Sequence, residues 1–301
     1  MGSSESQAAP GRGISKGVLC VAAGTVFFSM SSVLVKMAGQ RLPFMELVLG
    51  RSVFGLVLCW WLMRRSGVPE LGHNRRLLFL RGVLGFGGLA ASFYAITHMP
   101  LADAIVLFYS NPVFAVAISL FFLGERLDAR AVACIPLCLA GVMLVTRPPI
   151  IFGASGTDVA GLAYGVALFA AVSSAGAYTT MHHLGRSEHP LVIVLYLYIV
   201  SIPISLVASI PGWVAPTWTE WAMLAGIGTL TQVGQMLLTR GLAMESTGTA
   251  TATGCLQVVF TALWGMLFFD EYPDALALAG AGCIVASTLV LSGTIRLWRR
   301  A

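Results

Sequence analysis

Apolar residues along this chain gather in long blocks, and polar residues mark the short gaps between them. Ten blocks are each close to twenty residues long. They run near 17–37, 44–63, 77–97, 102–122, 130–147, 160–182, 190–210, 219–240, 247–269 and 275–294. About 20 apolar residues in helix match a hydrocarbon core about 30 Å thick. The pattern therefore predicts an all-α membrane protein with ten transmembrane helices. Tight hairpins are expected at Met99-Pro100 and Glu245-Ser246, where neighbouring blocks nearly touch.

The blocks also repeat. Shifting the first half by 146 residues lays 80–146 over the last spans without a gap. Gly82 then meets Gly228, Gly88 meets Gly234, Glu125 meets Glu271 and Asp128 meets Asp274. The expected organisation is a polar cytoplasmic tail (1–16), a first five-span repeat (17–147), a second (160–295) and a basic cytoplasmic tail (296–301). Five is odd, so the two copies must enter the membrane from opposite sides. Inverted repeats of this kind are a construction of secondary transporters, because each half can take the shape of the other.

Composition agrees. Of the 301 residues, 57% are hydrophobic and 10% charged, with a mean hydropathy of +0.85. Soluble domains carry about 25% charged residues, so lipid is the expected surrounding. A net charge of +5 does not point to nucleic acid, because the Lys and Arg residues fall in the gaps rather than along one polar face. With a cytoplasmic N-terminus, Lys16, Arg64, Arg65, Arg75, Arg76, Arg81, Arg126, Arg186, Arg240 and Arg296 lie inside, and only Lys36, Arg41 and Arg147 lie toward the outside. Both termini are expected in the cytoplasm, with the plasma membrane as the default location. The six cysteines sit inside apolar blocks and form no disulfide framework.

Several segments resemble the EamA-domain branch of the drug/metabolite transporter superfamily. They are Arg81-Gly-Val-Leu-Gly-Phe, Tyr94-Ala-Ile, Met99-Pro-Leu-Ala-Asp-Ala, Tyr109-Ser-Asn-Pro-Val-Phe and Leu123-Gly-Glu-Arg-Leu, together with Lys36 and Arg51. The resemblance runs from about residue 17 to 295 and is nearest to the solute carrier 35G group. It implies ten spans and transport of a small metabolite. Asp270-Glu271 departs from the Gly-Glu of the first repeat.

Polar groups in hydrocarbon cost free energy unless paired, so each span's polar residues are candidates for a substrate site. On the first span Thr25, Ser29, Ser32 and Lys36 share one face, which suits the wall of a wet cavity; serine and threonine bonding back to their own helix is the plainer alternative. Arg51 lies well inside the second span, where a guanidinium costs about 2.5–3.5 kcal/mol. Its planar fork suits a carboxylate or phosphate, and an ion pair with another helix is the structural alternative. Tyr109 and Asn111 flank a span that Pro112 loosens. Gln257 is the repeat partner of Asn111, and Gln232 and Gln235 share one side of the eighth span. Interhelical hydrogen bonding is the competing role for these amides. Tyr94, Tyr178 and Trp264 are weaker candidates.

No nucleophile–base pair, metal cluster or cofactor motif appears, so an enzyme is not expected, nor a metal or cofactor. The partners expected are a small-molecule substrate and the lipid bilayer. With no carboxylate at mid-depth, an organic anion is the expected substrate, moved by exchange or facilitated transport as one repeat rocks against the other. The rivals are an exporter of neutral or cationic amino-acid-like or drug-like solutes, and a scaffold that transports nothing.

Overall fold

A computed structural model describes residues 15–68, 71–98, 107–123, 129–146, 161–269 and 274–291. These residues form helices and the turns that join them, with no strand among them. The helices are α1 (Lys16–Ala38), α2 (Phe44–Ser66), α3 (Arg75–His98), α4 (Asn111–Leu123), α5 (Ala129–Thr146), α6 (Gly161–Leu184), α7 (Pro190–Ser209), α8 (Trp218–Met244), α9 (Thr247–Gly254), α10 (Leu256–Phe269) and α11 (Ala275–Leu291). They fall where the apolar blocks lie. The Glu245-Ser246 hairpin is present between α8 and α9. The Met99-Pro100 hairpin, Asp103, Arg126, Arg147, the Glu125/Glu271 pair and the basic tail lie outside the described residues.

Six segments are long and apolar enough to cross a membrane: α1, α2, α3, Leu162–Leu184, Pro190–Gly212, and Thr247–Phe268, which joins α9 to α10. At 27 residues α8 is longer than any of them, but Gln232, Gln235 and its threonines and glycines make it less apolar. Leu19, Val57, Phe79, Leu162, Phe169, Val207, Leu267 and Leu278 face outward, as lipid contact requires. Trp60 and Trp61 end α2 beneath Arg64 and Arg65, with guanidinium-to-ring distances of 4.0 and 5.4 Å. At the other end of the bundle Trp213 and Trp218 are exposed. Aromatic residues at both ends fit the two membrane interfaces.

Local chemistry sets the helix ends. Ser15 caps α1 by accepting from Gly17 N, and Thr217 with Glu220 forms a capping box on α8. Pro190 opens α7, where its missing N–H costs nothing. Gly67 closes α2 in the left-handed region at φ 63°.

Packing crosses between the repeats. The most extensive contacts pair α1 with α8, α3 with α6, and α5 with α11. Exchanging the repeats maps the first pair onto the second and the third onto itself. The contacts of α2 with α8 and of α3 with α7 are related in the same way. Repeated glycines make the match: a Cβ on Gly82 would lie 2.6 Å from the Tyr196 carbonyl oxygen, and one on Gly228 would lie 2.5 Å from Phe54 Cβ and 3.2 Å from the Arg51 carbonyl oxygen. Without a strong hydrophobic drive between helices in lipid, close backbone approach at small residues supplies the attraction.

The repeat also places two helix breaks. Ser110 N donates to Leu107 O and Val113 N to Ser110 O; Cys255 N donates to Ala252 O and Val258 N to Cys255 O. These i to i−3 bonds replace the α-helical pattern at corresponding places just before α4 and between α9 and α10. The continuous ninth span expected from hydropathy is therefore two helices. Pro112 at the start of α4 and Gly254 at the end of α9 explain the interruptions.

Gly82→Val and Gly228→Val should each lower the thermal midpoint of the detergent-purified protein, at a cost of about 1–3 kcal/mol from overpacking. Gly165→Ala, where an added Cβ meets nothing within 4 Å, should leave it unchanged or raise it. A thermal-shift series on the three variants checks this.

Candidate functional site

A cavity of about 220 Å³ lies between the helices, smaller than the roughly 300–1,000 Å³ of drug-sized pockets. Its wall draws on α1, α2, α3, α6, α7, α8, α10 and the break before α4. Near one end it is bounded by Lys36, Ile96 and Gly265, which lie close to the ends of α1, α3 and α10; deeper in it meets Tyr178, Thr231 and Gln235. It therefore reaches toward the face where α1 ends.

Six of the nine residues singled out from the sequence line it: Lys36, Arg51, Ser32, Tyr109, Gln235 and Gln257. Arg51 is 4% exposed, and its Nε and Nη1 have no hydrogen-bond partner. It makes no ion pair with Glu46, whose Oε1 instead accepts from Val214 N at 2.6 Å. Gln257 Nε2 donates to Ser32 Oγ at 3.4 Å, and Ser32 donates onward to the Phe28 carbonyl at 3.0 Å.

Three lie behind the wall. Ser29 donates to the Val26 carbonyl and accepts from Trp264 Nε1 at 2.8 Å, tying α1 to α10. Gln232 is fully buried and its Oε1 accepts from the Tyr198 hydroxyl at 2.5 Å. Asn111 is 2% exposed at the start of α4. Of the weaker candidates, Tyr178 lines the cavity, while Tyr94 stacks on His98 with centroids 4.0 Å apart.

Arg81 corrects the sequence reading. Grouped there with the cytoplasmic cations, it is 1% exposed inside α3 and lines the cavity. A usable signal was present: Gly85 follows one turn later, and a Cβ there would lie 2.5 Å from Arg81 Nη1. Among the described residues the wall thus holds Lys36, Arg51 and Arg81, and no Asp or Glu.

The face where α1 begins is shut. Met181, Leu184, Leu191, Leu238 and Leu242 pack into a continuous apolar cluster there. His182 Nδ1 donates to the Leu242 carbonyl across 2.6 Å, linking α6 to α8. On this side the Glu188 carboxylate accepts from His73 N and Asn74 N, both at 2.7 Å. It mirrors the Glu46–Val214 bond on the opposite face. At that opposite face Arg41, in the α1–α2 connection, donates to Glu220 from Nε at 2.7 Å, which holds the guanidinium above its ordinary pKa.

Comparison with known proteins places this geometry in context. The model of the EamA-like transporter family matches residues 15–147 and again 161–293. The pseudopaline exporter CntI of Pseudomonas aeruginosa is 36% identical over 93% of this chain and 97% of its own. Solute carrier family 35 member G1 of Mus musculus is 29% identical, covering 96% and 80%. The S-adenosylmethionine uptake transporter of Rickettsia bellii is 25% identical, covering 87% and 88%. A crystal structure superposes with a TM-score of 0.79 at 19% identity over 94% of this chain and all of that one, a likeness of fold alone.

His182→Phe should loosen the shut face. In a cysteine-free background carrying Tyr178→Cys, a membrane-impermeant maleimide should label from the face where α1 ends only. Adding His182→Phe should bring labelling from the other face as well; unchanged one-sided labelling would assign the closure to the apolar cluster alone.

Proposed function

The chain belongs to the EamA-like transporter family, a multi-pass membrane protein that carries a small metabolite and no enzyme, and on that premise we propose that its cargo is an organic anion moved by alternating access. The observation that carries this reading is Arg51: a guanidinium buried on the cavity wall with two of its nitrogens unpartnered. An unsatisfied buried donor costs about 1–3 kcal/mol, and more when charged. A carboxylate or phosphate entering the cavity removes that cost and adds a charge-assisted bond. A cation would meet three positive side chains and, among the described residues, no carboxylate on this wall.

Ten spans are inferred from the six long apolar segments, α8, and the shorter α4, α5 and α11. Arg64, Arg65, Arg75, Arg76, Arg186 and Arg240 gather at the face where α1 begins, which supports a cytoplasmic placement of that face and of both termini, in the plasma membrane. The cavity would then open outward.

The moving unit differs from a whole repeat. Rocking one five-helix repeat against the other would part α1 from α8 and α3 from α6, the most extensive contacts in the bundle. The packing suits two mixed groups instead, α1 with α8 and α9–α10, and α3 with α4 and α6, bridged by the contact of α2 with α7. Each has helices from both repeats, and the cavity lies between them. With no carboxylate among the described wall residues to carry a proton, exchange or facilitated transport is favoured over proton coupling.

The test is exchange from proteoliposomes loaded with a mixed metabolite extract, with released solutes identified by mass spectrometry. Wild type should release carboxylates or phosphates. Arg51→Ala should reduce that release by about 10- to 100-fold, the equivalent of one charge-assisted hydrogen bond. Release of amines or neutral solutes that the variant leaves unchanged would overturn the anionic reading and keep the transporter.

A further inference from the structure

In the reading above Arg81 counts only as one of three positive side chains on the wall, and its surroundings call for a more specific role. It sits six residues into α3, about 9 Å from the helix start at 1.5 Å per residue. An arginine this near a helix end ordinarily extends its head group to the interface. This one turns inward and is 1% exposed. Its Nε and Nη1 have no hydrogen-bond partner. Nη2 donates to Met181 Sδ at 3.4 Å, and Gln235 Nε2 reaches the same sulfur at 3.9 Å. A thioether is a weak acceptor. Two strong donors therefore share a partner that satisfies neither.

Arg51 repeats the situation on α2, with its own unpartnered nitrogens on the same wall. Tyr178 and Tyr198 are electrostatic neighbours of both guanidiniums, so the two arginines share one chamber. Like charges in a site of low dielectric repel. A single anion bound to either leaves the other uncompensated.

We infer that Arg81 is a second substrate-binding residue, and that with Arg51 it makes the cavity a two-cation clamp for a solute bearing two anionic groups, such as a small dicarboxylate. The inference rests on the anionic reading and extends it from the sign of the charge to the number of charges. One anionic group takes the free nitrogens of Arg51. The other displaces Met181 sulfur as the partner of Arg81 and Gln235. The volume of about 220 Å³ suits a compact diacid.

The test is ligand-dependent thermal stabilisation of the full chain in detergent. The probes are the straight-chain dicarboxylates from malonate to adipate and the monocarboxylates of matching length. Wild type should bind at least one dicarboxylate about tenfold or more tighter than its monocarboxylate counterpart. Arg81→Gln and Arg51→Gln should each erase that preference. Arg81→Met should raise the midpoint of the ligand-free protein, because an unpaired buried charge is replaced by an apolar chain. A lowered midpoint for Arg81→Met would mark Arg81 as structural and overturn the inference. So would a dicarboxylate preference that survives Arg81→Gln, or equal binding of both series by wild type; each of these leaves the anionic reading standing. If Arg81→Gln does not fold, Arg81→Lys takes its place, keeping the charge and losing the fork; a weakened but surviving preference supports the clamp, and an undiminished one overturns it. Failure of wild type to bind any acid of either series would overturn the clamp, while the anionic reading would still be decided by the proteoliposome exchange.

Discussion

In hydrocarbon a polar group has no water to fall back on, so its partner must come from the protein. That constraint orders this molecule. It makes every described segment helical and turns small hydroxyls back on their own helices. Thr25 donates to the Ala22 carbonyl, Thr231 to Ile227 and Thr239 to Gln235. It also makes exceptions informative. Among the described residues, the buried charged or amide groups with an unpartnered atom are Glu46, Arg51, Arg81 and Gln232. Two of the four line the cavity, and Gln232 holds Tyr198 directly behind it.

Because the repeats interlock, their pseudo-symmetry is a property of contacts as well as of sequence. The same helix pairings occur twice, and the same glycines let them form. The Glu46 and Glu188 carboxylates each hold the backbone of a distant connection, one at either face. The breaks before α4 and between α9 and α10 carry the same pair of hydrogen bonds. A duplicated frame of this kind is what the proposed alternating access requires, since each half can take the shape of the other.

Symmetry stops at the charges. Under the 146-residue shift Arg81 corresponds to Ile227. The paired contacts of Gly82 on Tyr196 and Gly228 on Arg51 make Tyr196 the counterpart of Arg51. The helix frame is duplicated, while the two buried guanidiniums on the cavity wall are not. A transporter of this build can change its cargo by changing a few wall residues and leave the mechanics of the bundle intact.

Block length and composition alone were enough to locate the helices, because hydropathy acts locally and the bilayer sets a fixed length. The repeat was equally legible, since Gly82/Gly228 and Gly88/Gly234 stand at one constant spacing. Arg51, Lys36, Ser32, Tyr109, Gln235 and Gln257 could be picked out as polar groups at depth. What no local pattern carries is direction. Ser29 and Ser32 share a face of α1, yet one bonds Trp264 behind the wall and the other borders the cavity. Arg81, six residues from a helix start, reads as an interfacial cation until the packing of α6 and α8 turns it inward against Met181. Which side chains reach the cavity, and which of two buried guanidiniums has a partner, depends on contacts between residues a hundred or more positions apart. Only the assembled bundle decides those.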